Sequence, residues 1–112
     1  MLFVNYPKCS TCKKARKFLE EKGVTFEDRD IKEQNPTVEE LKEWIAKSGL
    51  PVKKFFNTSG MLYRQMELKD KLPNMSEQEM IELLATDGML VKRPILVSED
   101  KDLVGFRQAE WE

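Results

Sequence analysis

Histidine is absent from this chain of 112 residues. Its absence removes Ser-His and Cys-His catalysis, histidine general bases and most zinc sites. Cysteine occurs only twice, too few for a disulfide scaffold or a four-ligand metal site. There is no basic surplus either. Lys and Arg number 19 against 20 Asp and Glu, where a dedicated nucleic-acid binder carries an excess of positive charge. No apolar run approaches the roughly 18 residues of a membrane span. Residues 1–5 show no basic stretch and no small-residue cleavage site, so they are not read as a signal peptide. The expectation is a soluble cytoplasmic domain with no nucleic-acid or membrane partner. With 40% hydrophobic and 35% charged residues, a modest core under a solvated surface is expected, and residues 1–112 form one domain.

What is present reads first as a βαβ unit. Leu2-Phe3-Val4-Asn5-Tyr6 is a short apolar run stopped by Pro7, as suits a buried strand. Residues 12–22 have helical spacing, with Ala15, Phe18 and Leu19 on one face and Gly23 as the C′ residue. The stretch 24–31 alternates and carries β-formers, which predicts a second strand. Two such strands joined by a helix should be parallel, with a right-handed crossover.

Residues 35–89 read as an all-helical section. Thr37-x-x-Glu40 and Ser76-x-x-Glu79 are capping boxes. The first opens a helix with Val38, Leu41, Trp44 and Ile45 inward and Ser48-Gly49 at its end. The second opens one with Met80, Ile81, Leu83 and Leu84 inward. Phe55 and Phe56 anchor a short helical segment after Pro51, residues 57–60 form a polar loop, and 63–72 are helical with weak patterning. Strand signals return at 94–97 and 103–106, flanking a polar linker at 98–102 of hairpin length. The prediction is an α/β domain: one four-stranded mixed sheet with a helical insertion.

The chemistry concentrates in Cys9-Ser10-Thr11-Cys12. The motif lies between the first strand and the first helix, so the first thiol faces unsatisfied N–H groups and the positive end of the helix dipole. The spacing places the second cysteine one turn into the helix, within reach of a mixed disulfide on the first. Lys8, Lys13 and Lys14 add positive charge. Cys9 is thus the candidate nucleophile and Cys12 the resolving thiol. Other readings compete: half of an intersubunit zinc site, or two inert core cysteines. The lysines also fit the solvated face of an amphipathic helix.

Cys9-Ser10-Thr11-Cys12-Lys13-Lys14-Ala15, the helical insertion, Lys92-Arg93-Pro94-Ile95-Leu96-Val97 and the later Gly105-Phe106-Arg107 together resemble the arsenate reductase/Spx family along nearly the whole chain. The resemblance implies a thioredoxin/glutaredoxin-like fold, with Pro94 in a cis peptide bond against the active-site thiol. It matches Cys9 to the family's reactive cysteine and Cys12 to the second cysteine of the Spx-like branch. Arg93 and Arg107 match anion-binding arginines, though surface ion pairing is the ordinary alternative. The reductases' remaining oxyanion-binding arginine should fall near 55–60, where this chain has none and Arg64 is the nearest. Family members continue into a C-terminal helix, of which residues 109–112 read as the first turn.

The resemblance implies a thiol-dependent reductase with no bound cofactor, acting on a small-molecule or protein disulfide. Glutathione with glutaredoxin, or a dithiol such as thioredoxin, would be the reductant. The alternative it implies is an Spx-like redox-sensing regulator that binds the RNA polymerase alpha subunit. Gly49 stands where that branch has a polymerase-contacting glycine, and it is equally an ordinary helix C′ residue.

Overall fold

An apolar strand followed at once by proline cannot extend far, and the first strand, β1, covers Leu2–Asn5. The computed structural model describes residues 1–99 and 101–111. Helix α1 (Ser10–Glu21) follows, then β2 (Glu27–Asp30). The insertion contains α2 (Val38–Ser48), a 3₁₀ turn at Val52–Phe55, α3 (Met61–Gln65), α4 (Leu68–Lys71), a second 3₁₀ turn, α5 (Glu77–Leu84) and a third at Gly88–Leu90. Strands β3 (Ile95–Val97) and β4 (Asp102–Val104) and the short α6 (Gln108–Trp111) complete the order.

The sheet runs β2-β1-β3-β4. β1 and β2 are parallel, with Leu2 opposite Glu27 and Asn5 opposite Asp30. β3 is antiparallel to both β1 and β4, and Phe3, Leu96 and Leu103 lie in one cross-strand row. This is the expected four-stranded mixed sheet. Side chains alternate across each strand, so the sheet divides two cores. Phe3 and Leu96 join Ala15, Phe18, Leu19 and Trp111 on one face. Val4 and Ile95 join Leu41, Trp44, Phe55, Leu84 and the rest of the insertion on the other.

Both capping boxes form in full. Thr37 and Ser76 each accept from the N–H three residues on, and Glu40 and Glu79 reach back to the cap N–H groups. Three expectations change. The second strand begins later than residue 24, because the Val24 N–H donates to Leu19 O and is held by the end of α1. Val24 and Phe26 instead pack on the Phe3 cluster. The run 63–72 is not one helix: Glu67 adopts φ 55°, which ends α3 and starts α4 while turning Leu68 and Leu72 into the core. The predicted linker at 98–102 is shortened by Asp102, which lies in β4; its Asp100 lies outside the described residues. So does Glu112 of the turn read at 109–112.

Candidate functional site

A strand end, a helix start and a loop ahead of β3 converge at one edge of the sheet. The Cys9 N–H donates to Tyr6 O at 2.9 Å, closing the turn that carries Pro7 and Lys8. Cys9 is the N-cap of α1, in an extended conformation (φ −84°, ψ 123°), and its carbonyl accepts from Lys13 N. The Cys9 sulfur makes no close side-chain capping bond but lies near the Thr11 and Cys12 N–H groups. Cys9 is half-buried and Cys12 is 1% exposed.

This asymmetry separates the two thiols chemically. Burial alone would raise the Cys9 pKa. The N–H groups of Cys12 and Thr11, the Cys12 thiol and the Arg93 charge outweigh it, and the net shift is downward. Burial pushes the Cys12 thiol up to about 12, and the neighbouring Cys9 adds to the rise. The Tyr6 N–H donates to Cys12 Sγ at 3.4 Å and opposes that shift only in part.

Arg93 comes from the segment before β3, and the Arg93–Pro94 peptide bond is cis. Its guanidinium lies 5.2 Å from the centroid of the Tyr6 ring. One terminal nitrogen faces the carbonyls of Met89 and Val91 at 3.5 and 3.4 Å, while the buried Nε has no partner among the described residues. The guanidinium therefore presents its charge to the thiols from a position fixed by backbone and ring contacts. Pro94 is buried behind it, with its carbonyl accepting from Gly105 N at 2.8 Å.

A cleft of about 620 Å³ opens over Cys9. The structure brings Cys9, Arg93 and Arg107 together on its wall, along with Lys92, Asn57 and Ser59. Lys8 is exposed in the preceding turn and does not line the cleft, and neither does Arg64 on α3. Lys13 and Lys14 are exposed on α1, as the solvated-face reading has it. Positive character at the Cys9 sulfur thus comes from backbone N–H groups and Arg93 rather than from nearby lysines.

The sequence singles out Lys92 within the Lys-Arg-Pro motif without giving it a place in the site, and Asn57 and Ser59 carry no signal beyond the polar loop at 57–60. Among the described residues no group of three or more His, Cys, Asp or Glu could hold a metal ion. No helix among them is long and apolar enough to cross a membrane.

Comparison with known proteins identifies the family. The ArsC family profile matches residues 4–112. The chain is 54% identical over 112 residues to the uncharacterized protein YusI of Bacillus subtilis, covering all of this chain and 95% of that one. It is 30% identical over 105 residues to the global transcriptional regulator Spx of Enterococcus faecalis, covering 93% of this chain and 77% of Spx. Among solved structures, an ArsC family related protein from Bacteroides fragilis superposes with a TM-score of 0.97 at 59% identity, over 98% of this chain and 92% of that one. The arsenate reductase from Vibrio cholerae superposes with a TM-score of 0.80 at 28% identity, over 91% and 87% of the two chains. The architecture is thioredoxin-like, as these neighbours are.

Proposed function

The chain belongs to the ArsC family, and on that footing we propose that it is a thiol–disulfide oxidoreductase with Cys9 as nucleophile and Cys12 as resolving thiol. The observation that carries the reading is the division between the two thiols: one lowered in pKa and open to a cleft, the other buried one turn further on and pushed up. In the reaction, the Cys9 thiolate attacks one sulfur of an oxidised substrate. The other sulfur leaves as a thiolate with the bonding electron pair, and a Cys9–substrate mixed disulfide forms. Cys12 then gives up its proton to the departing thiolate and attacks Cys9 Sγ. The substrate leaves reduced, carrying the two electrons and two protons that the protein gives up in forming the Cys9–Cys12 disulfide. Glutathione or a cellular dithiol such as thioredoxin restores the pair.

The mass of the reduced protein after exposure to glutathione disulfide tests this. The wild type should lose two hydrogens and remain monomeric, while Cys12→Ser should accumulate a one-to-one glutathione adduct on Cys9. Adducts on Cys12, or only intermolecular dimers, would overturn the assignment.

The Spx relative supports a second reading, in which the same pair is a redox switch for binding the alpha subunit of RNA polymerase. Gly49 is the C-cap of α2 at φ 71°, with open space around its α-carbon, a geometry that suits a helix end whatever it contacts. Binding of the polymerase alpha chain, through its C-terminal domain, to the oxidised but not the reduced protein would favour this reading over the enzyme.

A further inference from the structure

Resting on the thiol–disulfide reading, we infer that the substrate is a polypeptide disulfide, bound as an extended acidic segment with apolar side chains on either side of the reacting cysteine. Three observations carry the inference. First, the cleft over Cys9 is large for a small oxidant. Its volume of about 620 Å³ corresponds to roughly twenty waters at about 30 Å³ each, and a tetrahedral oxyanion occupies only a corner of it. It does not stop at Arg107. A second depression of about 290 Å³ shares Lys92, Val104 and Arg107 with it, so a single groove leads away from Cys9 across β4.

Second, the free charges beside Cys9 are positive. Lys92 and Arg107 are exposed, and neither forms an ion pair among the described residues. Among the described residues the cleft wall around Cys9 contains no carboxylate. In the adjoining depression Asp102 is buried against Lys47, which leaves Glu110 as the one exposed carboxylate among the described residues. A chain with more acids than bases overall has kept them out of this cleft, as binding an acidic partner requires.

Third, the described residues leave three large hydrophobic side chains exposed: Met1 at 58%, Leu50 at 40% and Met61 at 74%. The two away from the N-terminus both lie on this groove, Met61 on the wall that includes Cys9 and Leu50 in the adjoining depression. Apolar side chains at Met61 and Leu50, in two depressions that share Lys92 and Arg107, suit apolar and acidic side chains that alternate along an extended peptide. They offer little to glutathione, which has no large apolar side chain, and nothing to an oxyanion.

The test compares symmetrical disulfides, in which attack on either sulfur is equivalent: glutathione disulfide, a Leu-Glu-Cys-Glu-Leu peptide disulfide, and the same peptide with serine for both leucines. The readout is the second-order rate of Cys9–Cys12 disulfide formation in reduced protein, by acid quench and mass spectrometry. The leucine peptide should react at least tenfold faster than glutathione disulfide and at least fivefold faster than the serine peptide. Its rate should also fall steeply with salt. Leu50→Ser and Met61→Ser should each slow the leucine peptide at least threefold and narrow its lead over glutathione disulfide. Equal rates for the three disulfides, or a lead for glutathione disulfide, would overturn this inference while leaving the thiol chemistry in place. Failure of all three to oxidise the pair would overturn both.

Discussion

At the residue scale, the two thiols differ in burial across one helical turn. Alkylation of Cys9 in Cys12→Ser should show a midpoint below the ordinary thiol value of about 8.5, because N–H groups and Arg93 favour the thiolate. Arg93→Met should move that midpoint up while leaving it below the free-thiol value, since the backbone donors remain. Cys12 should resist alkylation at pH 8 in folded Cys9→Ser and react on unfolding, as a thiol buried from solvent must. Arg93 also bears on oxyanion chemistry. Its guanidinium is held against Tyr6 and two carbonyls, and no arginine from the insertion lines the cleft. Removal of one buried charged partner typically costs roughly 2–5 kcal/mol. Arsenate turnover in a coupled NADPH assay with glutathione and glutaredoxin should accordingly be poor, and rapid turnover would refute this.

At the scale of elements, two contacts tie the insertion to the sheet. Arg29 on β2 makes a two-pronged ion pair with Glu40 on α2, at 2.5 and 2.8 Å, and Glu40 also accepts from the Thr37 N–H. The Arg29 hydrogen bond is the largest cause holding the Glu40 carboxyl below its ordinary pKa. A lowered folded-state pKa means stability that is fully present above the unfolded value, about 4.3, and lost as pH falls through the folded one. The stability difference between wild type and Glu40→Gln, measured by urea unfolding, should therefore shrink from pH 6 towards pH 3. Thr37→Ala should cost about 1 kcal/mol by the same method, through the lost cap.

The second tie joins the last turn of α2 to β4, where Lys47 Nζ lies 3.1 Å from Asp102 Oδ1. Asp102 is 3% exposed, and burial raises its pKa despite Lys47. Lys47→Met leaves that carboxylate buried without its partner, at a cost on the order of 2–3 kcal/mol. Adding Asp102→Asn should recover much of the loss. An additive double variant would show that the pair does not interact.

At the scale of the whole molecule, the end of the insertion makes a close backbone approach to the chain just after β2. A Cβ at Gly88 would lie 1.8 Å from Ile31 O, so the turn before β3 can approach the end of β2 only with glycine there. Asn35 Nδ2 donates to Ala85 O at 2.6 Å beside it. Gly88→Ala should destabilise by more than about 2 kcal/mol, since backbone must shift, and should loosen the segment that presents Arg93. Gly49→Ala, strained by its positive φ but free of clashes, should cost only about 1 kcal/mol. Thermal unfolding of the two variants side by side would show whether that order holds.

Local rules were enough to place much of this molecule from its residues. Capping boxes at Thr37 and Ser76, the stripe of Ala15, Phe18 and Leu19, and the strand–CxxC–helix order depend on neighbours within a turn or two. That Cys12 is the less accessible of the two thiols was legible for the same reason. Tertiary structure decided what depends on distant partners. It packed Val24 and Phe26 on the Phe3 cluster, broke the helix at Glu67 to bury Leu68 and Leu72, and turned Arg93 onto Tyr6. It also left the lysines beside the motif in solvent and brought Lys92, Asn57 and Met61 around the Cys9 cleft. Hydrogen-bond caps and helical periodicity act over a few residues and leave a trace in the sequence. A cleft is made by segments near 9, 60, 92 and 105 that meet only when two cores pack on opposite faces of one sheet, and no local pattern encodes that meeting.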